Sequence, residues 1–409
     1  MVSEVKRLQP RLRFVDFHND WTQQRIGSIL TDISRPVHLL DNELYQLVTV
    51  KRRNEGVVPR SVVKGKNILV KNYFAIKAGD FLISKRQVVH GANGIVPESL
   101  DNAVVSNEYL VVTDNQKITA KFWSTISNRP EIKKLYFISS YGVDIEKLVF
   151  DLADWKERYI PIPQLNEQRK ITDFFQNLEQ QIKLHQDKHS KLQQLKQAML
   201  GKMFPKTGTN LPEVRFAGFS GNWVSKTLGI DVATVIGGGT PNTMDNRYWN
   251  GDIDWYSPTE IGFSPFAYSS VKKITRLGLK NSSAKILPKD KTILFTSRAG
   301  IGDMAILKNE ATTNQGFQSL VLNEGYDTYF IYSMGHLIKD YALQNASGST
   351  FLEISGKTLG KMKVKIPSLT EQTKIGQYFQ NLDNLIALQQ QKINKLKNIK
   401  QACLRKMFV

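Results

Sequence analysis

Two stretches of the chain carry apolar residues at the spacing of an amphipathic helix. In the first stretch these are Ile171, Phe175, Leu178, Ile182, Leu192, Met199 and Met203, and in the second they are Ile375, Phe379, Leu382, Ile386, Ile393, Leu396, Cys403 and Met407. Steps of three and four residues place them on one stripe, as in the seam of a coiled coil. Each stretch predicts a helix of about 38 residues, roughly 57 Å long at 1.5 Å per residue.

Each predicted helix begins just after a proline. Pro163 and Pro367 lie upstream of the two stripes, where proline is tolerated. Asn166 and Thr370 are the predicted N-caps, and the glutamate after each of them complements the positive end of the helix dipole.

The two stretches are copies of one another. The sequence Pro163-Gln-Leu-Asn-Glu-Gln-Arg-Lys-Ile matches Pro367-Ser-Leu-Thr-Glu-Gln-Thr-Lys-Ile, and the match continues without a gap to Phe204 and Phe408. Roughly 23 of about 42 aligned positions are identical, where average residue usage gives about 2 or 3 by chance. Arg-Phe motifs upstream of Trp21 and Trp223 open the two halves. With a period of about 204 residues, the chain is predicted to be a tandem duplication.

The two helices are predicted to pair antiparallel about a pseudo-two-fold axis. The residues predicted to pack between them or against a partner are Phe175, Leu178, Ile182, Leu192, Phe379, Leu382, Ile386, Ile393 and Leu396. Polar residues interrupt the stripes at His185, His189, Lys196, Gln389 and Lys400, where they set register or leave room for helices of another protein. No Glu or Asp accompanies the two histidines at ligand spacing, so we interpret them as partly exposed seam residues and expect no metal site.

The segments between the helices align with each other only in fragments. Gly79–Arg86 loosely matches Lys291–Arg298, and Ser106–Glu108 loosely matches Thr313–Gln315. Both segments mix short β-branched and aromatic runs with turn clusters and helical stretches, which predicts the α+β class. The predicted domains are head 1 (residues 1–160), the first helix (161–206), head 2 (207–364) and the second helix (365–409).

The charge indicates a polyanionic partner. The chain has 409 residues, with 56 Lys and Arg against 37 Asp and Glu and a formal charge of +19. The basic residues cluster, for example at Lys51-Arg52-Arg53 and Lys272-Lys273, and cations placed on phosphates release counterions. Nucleic acid is favoured over an acidic protein partner. The lone Cys403 makes no internal disulfide, and no apolar run approaches the ~20 residues that span a bilayer, so a cytoplasmic protein is expected.

The sequence lacks the common catalytic motifs. Gly356-Lys-Thr resembles the end of a P-loop but lacks the upstream glycine. The sequence has no His-Glu-x-x-His, Cys-x-x-Cys or Gly-x-Ser-x-Gly motif, and no Asn/Asp-Pro-Pro-aromatic motif of an amino-methyltransferase. We therefore expect no catalytic residues and no cofactor in this chain.

The motifs together resemble one family. These motifs are the duplicated Pro-x-Leu-x-Glu-Gln-x-Lys-Ile helices, the two Arg-Phe openings, and the block Gly238-Gly-Thr-Pro-Asn, Tyr248-Trp, Gly251-Asp-Ile and Trp255-Tyr-Ser-Pro. They are similar to those of the DNA-specificity subunit of bacterial type I restriction–modification systems, and the similarity covers essentially the whole chain.

The resemblance implies a division of labour. In that family two target-recognition domains each read one half of a split DNA sequence, and the repeated helices act as a spacer and as the dock for two methyltransferase subunits. Those subunits transfer a methyl group from S-adenosylmethionine to adenine N6, and two restriction subunits add ATP- and Mg-dependent motor and nuclease activity. The expected partners are therefore double-stranded DNA and these subunits, with no membrane. Because the two heads differ in sequence, the DNA site should be bipartite and asymmetric.

Residues in polar, glycine-broken stretches are the predicted DNA contacts, because Arg reads guanine best and Asn or Gln reads adenine best. In head 1 they are Lys51, Arg52, Arg53, Arg60, Lys85, Arg86, His90 and Asn93. In head 2 they are Thr240, Asn242, Tyr256, Ser297, Arg298, Asn314 and Gln315. Trp255 is interpreted as a core residue rather than a stacking surface.

Two other classes stay open at this point. The first is a self-sufficient nuclease or methyltransferase with an unrecognised site. The second is a coiled-coil scaffold of a nucleic-acid-processing complex that has no sequence readout of its own, its positive charge matching acidic subunits. The duplicated helices with divergent basic heads fit a reader of a split site better than either.

Overall fold

The computed structural model describes residues 8–69, 72–298, 300–348 and 352–409. The chain forms two compact units: unit 1 comprises Met1–Leu184 and Lys392–Val409, and unit 2 comprises His185–Gln391. Each unit combines one head with segments of both long helices, whereas the predicted domain limits cut the chain where each helix begins or ends.

The elements of the first half follow one another from a short ribbon strand to a long helix. They are β1 (Thr22–Arg25), α1 (Ile26–Ile29), β2 (Thr31–Asp32), β3 (Pro36–Val37), β4 (Leu44–Val50), β5 (Val57–Lys64), β6 (Tyr73–Ala75), β7 (Phe81–Ser84), β8 (Asn93–Ile95), β9 (Val104–Ser106), β10 (Tyr109–Thr113), α2 (Ala120–Ser127), α3 (Pro130–Ile138), β11 (Ser140–Tyr141), β12 (Val149–Phe150), α4 (Leu152–Glu157), β13 (Tyr159–Ile162) and α5 (Leu165–Lys202).

The second half follows a similar order and also ends in a long helix. Its elements are β14 (Val224–Thr227), β15 (Ala233–Gly237), β16 (Trp249–Tyr256), β17 (Phe266–Ala267), β18 (Lys272–Ile274), α6 (Arg276–Lys280), β19 (Thr292–Phe295), β20 (Met304–Leu307), β21 (Ala311–Thr313), β22 (Gln318–Leu322), α7 (Thr328–Ser333), α8 (Gly335–Asn345), α9 (Gly356–Gly360), β23 (Lys363–Ile366) and α10 (Leu369–Lys406).

The head of unit 1 is built on two sheets. Over the residues that the structure describes, an antiparallel four-stranded sheet runs β2-β10-β7-β8 and a five-stranded sheet runs β3-β6-β9-β4-β5. β7 lies inside the first sheet and is buried along its whole length, which explains its continuous apolar sequence. In the second sheet β4 and β9 pair parallel at Leu47 and Val104.

The head of unit 2 shares part of this topology, since β15-β22-β19-β20 corresponds to β2-β10-β7-β8 and β18-β16-β21 corresponds to β5-β4-β9. Within its described residues, a five-stranded sheet runs β15-β22-β19-β20-β17 and a three-stranded sheet runs β18-β16-β21, in which β16 and β21 pair parallel. The fragments that align in sequence lie at matching places, on β7 and β19 and at the ends of β9 and β21. The predicted α+β class with two similar mixed segments and two long helices is confirmed.

The long helices begin slightly earlier than predicted. Asn166 and Thr370 lie inside the first turns of α5 and α10, so the prediction that they are N-caps is wrong. The Gln164 carbonyl accepts the backbone N–H groups of Glu167 and Gln168, and the Ser368 hydroxyl accepts that of Glu371 at 3.4 Å. The residue that follows each proline, Gln164 or Ser368, thus accepts the first free N–H groups of the helix, and the prolines lie outside it.

Within unit 1 the two helices run antiparallel. Phe175 of α5 stacks on Phe408 near the end of α10, with ring centroids 5.9 Å apart. One turn further along α5, the Glu179 carboxylate binds Lys400 Nζ at 2.7 Å. The seam position occupied by Lys400 therefore carries an ion pair rather than an unpartnered charge.

Within unit 2 the corresponding contacts recur with the roles of the two helices exchanged. Phe379 of α10 stacks on Phe204 at 6.0 Å, and Asp383 binds Lys196 Nζ at 2.5 Å. Nearer the middle of the helices, His185 Nδ1 lies 2.7 Å from Gln389 Oε1. Polar seam residues of one helix thus meet polar residues of the other, which fixes the register of the pair.

The residues predicted to pack along the helices lie on their inner faces. Phe175, Ile182, Phe379, Leu382 and Ile393 are buried, and Leu178, Leu192, Ile386 and Leu396 are half-buried.

The end of each helix enters the core of the opposite copy's head. Cys403, Met407 and Phe408 at the end of α10 join the core of unit 1, where the Phe408 ring lies 6.0 Å from Trp21. In unit 2 the end of α5 does the same, and Phe204 lies 6.1 Å from Trp223. The two tryptophans of the duplicated openings are therefore packing residues.

Buried ion pairs join each opening segment to the start of a helix. Arg13 donates from Nε and Nη2 to the two oxygens of Glu167, at 2.7 and 2.8 Å. Arg215 binds Glu371 in the same bidentate way, at 2.7 Å for both contacts, and this hydrogen bonding raises the pKa of Arg215. Both carboxylates are nearly inaccessible to solvent, at 2% and 1%.

The glutamine that follows each glutamate ties the helix to the head. Gln168 accepts the Thr119 backbone N–H just before α2 and donates to the carbonyls of Lys117 and Pro163. Gln372 accepts the Asp327 N–H just before α7 and donates to Pro367. The repeated Glu-Gln dipeptide therefore joins each long helix to a head. We call the two long helices and these contacts with the heads the frame.

No helix within the described ranges is long and apolar enough to cross a membrane.

The Arg215–Glu371 pair predicts a large and local stability effect. Glu371→Ala leaves the guanidinium of Arg215, which is 17% exposed, without its carboxylate, and we expect a cost of about 1–3 kcal/mol because water reaches part of the surviving charge. Hydrogen exchange of the first turns of α10 should show that loss in the free energy of local opening. The double variant Arg215→Ala/Glu371→Ala should recover part of it, because no unpaired charge remains.

The exposed pair of Lys206 and Glu213 provides the control. Glu213→Ala should leave the exchange of the α10 amides unchanged, since an exposed ion pair contributes little. Equal effects of Glu213→Ala and Glu371→Ala would contradict this account of the frame.

Candidate nucleic-acid interface

In unit 1 most of the predicted DNA contacts gather where β4, β7 and β9 end. We call residues 51–54, 84–93 and 107–108 loop cluster 1. Backbone hydrogen bonds join its turns: the Arg53 N–H donates to the His90 carbonyl at 2.7 Å, and the Lys85 N–H donates to the Glu108 carbonyl at 3.0 Å. Arg60 is exposed on β5, outside this cluster.

The cations of loop cluster 1 differ in how firmly they are held. Arg52 has two side-chain partners, whereas Arg86 binds the single carboxylate of Glu108. Lys85 donates to the Asn107 carbonyl at 2.7 Å, and Lys51 lies 4.0 Å from a carboxylate oxygen of Glu55.

Two residues of this cluster adopt left-handed backbone conformations. Arg53 and Asn54 have φ angles of 60° and 57°. Asparagine tolerates this region, while arginine there is strained and is held by the bond to the His90 carbonyl. The Arg53 side chain is exposed in this turn.

Asn93 lies inside the head rather than on its surface. Its side chain is buried, and its Oδ1 accepts from Asn54 Nδ2 at 2.8 Å. Among the described atoms, the buried Asn93 Nδ2, Asn54 Oδ1 and His90 Nε2 have no hydrogen-bond partner. A contact between DNA and Asn93 therefore requires this turn to open, and its role as a contact stays a prediction.

In unit 2 all the predicted contacts come together at the corresponding strand ends. We call residues 238–242, 256–258, 297–298 and 314–316 loop cluster 2. The Asn314 N–H donates to the Tyr256 carbonyl at 3.0 Å, and the Ser297 N–H donates to the Gly316 carbonyl at 2.8 Å. The Thr240 hydroxyl donates to Gln315 Oε1 at 2.6 Å, which links two of the predicted residues directly.

The glycines of loop cluster 2 are required by close packing. A Cβ atom on Gly238 would lie 2.0 Å from the Asn314 carbonyl oxygen, and one on Gly239 would lie 2.3 Å from Ser283 Oγ. Trp255 packs beneath the surface and holds this turn: its side chain is buried, and its Nε1–H donates to the Gly239 carbonyl at 2.8 Å. Trp255 is a core residue, as predicted.

Accessibility separates the residues of loop cluster 2. Asn242 and Gln315 are exposed, and Thr240, Arg298 and Asn314 are half-buried. Tyr256 and Ser297 are buried, so DNA reaches them only if the loops move; their role stays a prediction. Burial, together with the nearby charges of Asp254 and Glu260, raises the pKa of Tyr256, which keeps its phenol neutral.

A polar groove of about 500 Å³ runs beside loop cluster 1 in unit 1. Arg53, Lys121 of α2 and Lys400 of α10 bring positive charge to its walls, and Glu179 is already paired with Lys400. We call this the unit 1 groove.

Sequence reasoning missed Lys121, because it is a single charge on a helix and not part of a basic run. A signal was present nonetheless: Lys121, Ser124, Thr125 and Asn128 follow one another at helical spacing and form a polar stripe that lines the groove.

At the corresponding place in unit 2 the groove is smaller, about 220 Å³, and Lys196 and Asp383 of its walls belong to a hydrogen-bond network. The Tyr329 hydroxyl of α7 donates to Asp383 Oδ2 at 2.8 Å, while Asp383 Oδ1 binds Lys196. Burial, followed by the charge of Asp383, raises the pKa of Tyr329 far above its ordinary value. The network locks α7 to both long helices, and its one carboxylate balances its one cation.

No group of three or more His, Cys, Asp or Glu side chains converges to hold a metal ion in the part of the chain that the structure describes.

Known relatives match the chain across both halves. The MjaIX type I restriction enzyme specificity subunit of Methanocaldococcus jannaschii is 36% identical over 183 residues, which are 44% of this chain and 42% of the relative. The chain thus spans about two fifths of that relative's length. The HindI type I restriction enzyme specificity subunit of Haemophilus influenzae is 22% identical over an alignment that covers 86% of this chain and 90% of that one.

A solved structure shares the fold. The type I restriction-modification system S subunit of M. genitalium is 16% identical, covers 98% of this chain and 99% of its own, and has a TM-score of 0.59.

The sequence model of the type I restriction modification DNA specificity domain matches the chain twice, over residues 19–194 and 220–398. Two matches that together span most of the chain, each covering one head and most of its helix, show that this protein belongs to the family of type I restriction–modification DNA specificity subunits.

Proposed function

We propose that this chain is the non-catalytic subunit that reads a bipartite, asymmetric DNA target for a type I restriction–modification complex. Loop cluster 1 reads one half of the target and loop cluster 2 reads the other. The long helices carry the subunits that act on the DNA. The chain's place among specificity subunits supports this assignment, and the comparisons lend no support to a scaffold without sequence readout.

One observation carries the proposal: two heads of related topology present different chemistry at matching strand ends. Loop cluster 1 offers arginine, lysine and histidine, while loop cluster 2 offers mainly hydroxyls and carboxamides. Two identical heads would read two copies of one half-site. Divergent loops on a duplicated frame instead suit two different half-sites, with unspecified base pairs between them.

The side chains indicate which bases each cluster suits. Arginine pairs in bidentate fashion with O6 and N7 of guanine, and asparagine or glutamine pairs with N6 and N7 of adenine. Loop cluster 1 therefore favours guanine, and the exposed Asn242 and Gln315 of loop cluster 2 favour adenine. Many of the remaining cations serve the phosphates, which position the protein without reading sequence.

The partners follow from the duplication. Two similar helices offer related surfaces twice, which suits two copies of one methyltransferase subunit. Those subunits would bring S-adenosylmethionine and flip the target adenine out of the stack. Two motor–nuclease subunits, with ATP and Mg, would complete the restriction enzyme. Because the target is the DNA of the cell, we place the complex in the cytoplasm.

The proposal predicts the methylation pattern of the cell that carries this gene. Deleting the gene should remove N6-methyladenine from one split motif, with two specified parts and an unspecified middle, because the methyltransferase subunits lose their target reader. Single-molecule sequencing of the two strains measures this. Unchanged methylation in a strain shown to produce the methyltransferase subunits would contradict the proposal.

The unit 1 groove predicts a second effect, on phosphate binding. Lys121→Ala should weaken the assembled complex on every DNA sequence alike and lower the slope of log K against log salt by about one, because one phosphate contact is lost. Lys134→Ala removes an exposed lysine of the neighbouring helix α3 and serves as the control. If both variants keep the original salt slope, the groove does not take a phosphate.

A further inference from the structure

Arg52 stands out in loop cluster 1 because two turns of the chain hold its guanidinium. Nε donates to Gln87 Oε1 at 2.7 Å, and Nη2 donates to Glu146 Oε2 at 2.6 Å. Gln87 belongs to the turn after β7, while Glu146 lies on the short turn between β11 and β12. About half of the Arg52 side chain remains exposed, at 49%.

The backbone of Glu146 is held in place, while about half of its side chain is exposed, at 52%. Its backbone N–H donates to Asp144 Oδ1 at 3.1 Å, which caps this turn. One carboxylate oxygen binds Arg52, and the other lies 3.6 Å from His90 Nε2. The acidic side chain therefore sits between two predicted DNA contacts.

The N–H groups that Gln87 and Glu146 leave unpaired decide what the Arg52 guanidinium can bind. A guanidinium has five N–H groups, and the Nε–H and one Nη2–H lie along one edge. Gln87 and Glu146 occupy that edge. The opposite end of the fork keeps two parallel N–H donors, one on each Nη atom, and this is the arrangement that pairs with O6 and N7 of guanine.

We infer that Arg52 reads a guanine in the half-site of head 1, and that Gln87 and Glu146 are positioning residues that hold its guanidinium for that contact. The inference rests on the proposed function. A side chain fixed before binding loses less conformational freedom when the base arrives, and a fixed fork rejects bases with a different acceptor pattern.

Arg86 is the matched comparison within the same cluster. Its Nε and Nη2 both bind Glu108, at 2.5 and 3.4 Å, and its side chain is 70% exposed. A single carboxylate can move together with the arginine it binds, so one partner alone does not fix a direction, whereas Arg52 is held from two separate turns. Arg86 suits a phosphate, and Arg86→Ala removes the same charge as Arg52→Ala.

The test uses the complex assembled with its methyltransferase subunits. Competition binding is measured on duplexes in which each base pair of both half-sites is replaced in turn. With Arg52→Ala, the preference for guanine should fall about 5- to 150-fold at one position of one half-site. Every other position, and the whole second half-site, should keep its preference, which also shows that the variant is folded.

Further variants separate positioning from other roles. Arg52→Lys should fail to restore the lost preference, because an ammonium group cannot form the paired contact. Glu146→Ala and Gln87→Ala should relax the same position, by a smaller factor than Arg52→Ala. Arg86→Ala should weaken binding evenly on all duplexes.

Other results would overturn the inference. If Arg52→Ala weakens all duplexes equally, Arg52 is a phosphate contact. If Glu146→Ala tightens binding, Glu146 masks Arg52 instead of positioning it, and if it changes nothing, Glu146 has no positioning role. A wild-type complex without base preference in either half-site would refute the proposed function itself, which distinguishes the two failures.

Discussion

The buried bidentate contact between an opening arginine and the first-turn glutamate of a long helix is the interaction on which the rest of the structure depends. It occurs twice, as Arg13 with Glu167 and as Arg215 with Glu371. Such an ion pair is costly to break, because the surviving group keeps its charge with little access to water. Each pair therefore fixes the direction in which a head leaves its helix, and the glutamine next to it fastens the segment before α2 or α7.

Because these contacts anchor the heads, the exposed loop residues can differ between the two heads. The central strands of the sheets, the helix starts and the aromatic packing around Trp21 and Trp223 repeat from one unit to the other. The turns at the ends of β4, β7 and β9, and at the ends of β16, β19 and β21, combine buried residues such as Asn93 and Tyr256 with exposed side chains that lie outside that frame. The exposed side chains can change without disturbing the core, which lets one architecture suit two different half-sites.

The repeated parts of the molecule were predictable from the sequence, because helical periodicity and internal identity report directly on packing. The partners of single residues were not. Lys196 and Lys400 interrupt the apolar stripe, and nothing local shows that Asp383 and Glu179 meet them across the pair. Likewise, the polarity of Asn93 and Ser297 indicates the surface, yet tertiary packing buries both. Lys121 escaped notice for the opposite reason, since its surroundings are assembled from distant segments.

The central claim is that each head reads its own half of the DNA target. Its most direct test exchanges residues 22–160 for the matching segment of a family member with a known, different target, and then maps N6-methyladenine in cells that express the chimera. The account predicts a motif in which one half-site is replaced and the other half-site is retained. A methylated motif in which both half-sites change, or in which neither changes, would contradict it.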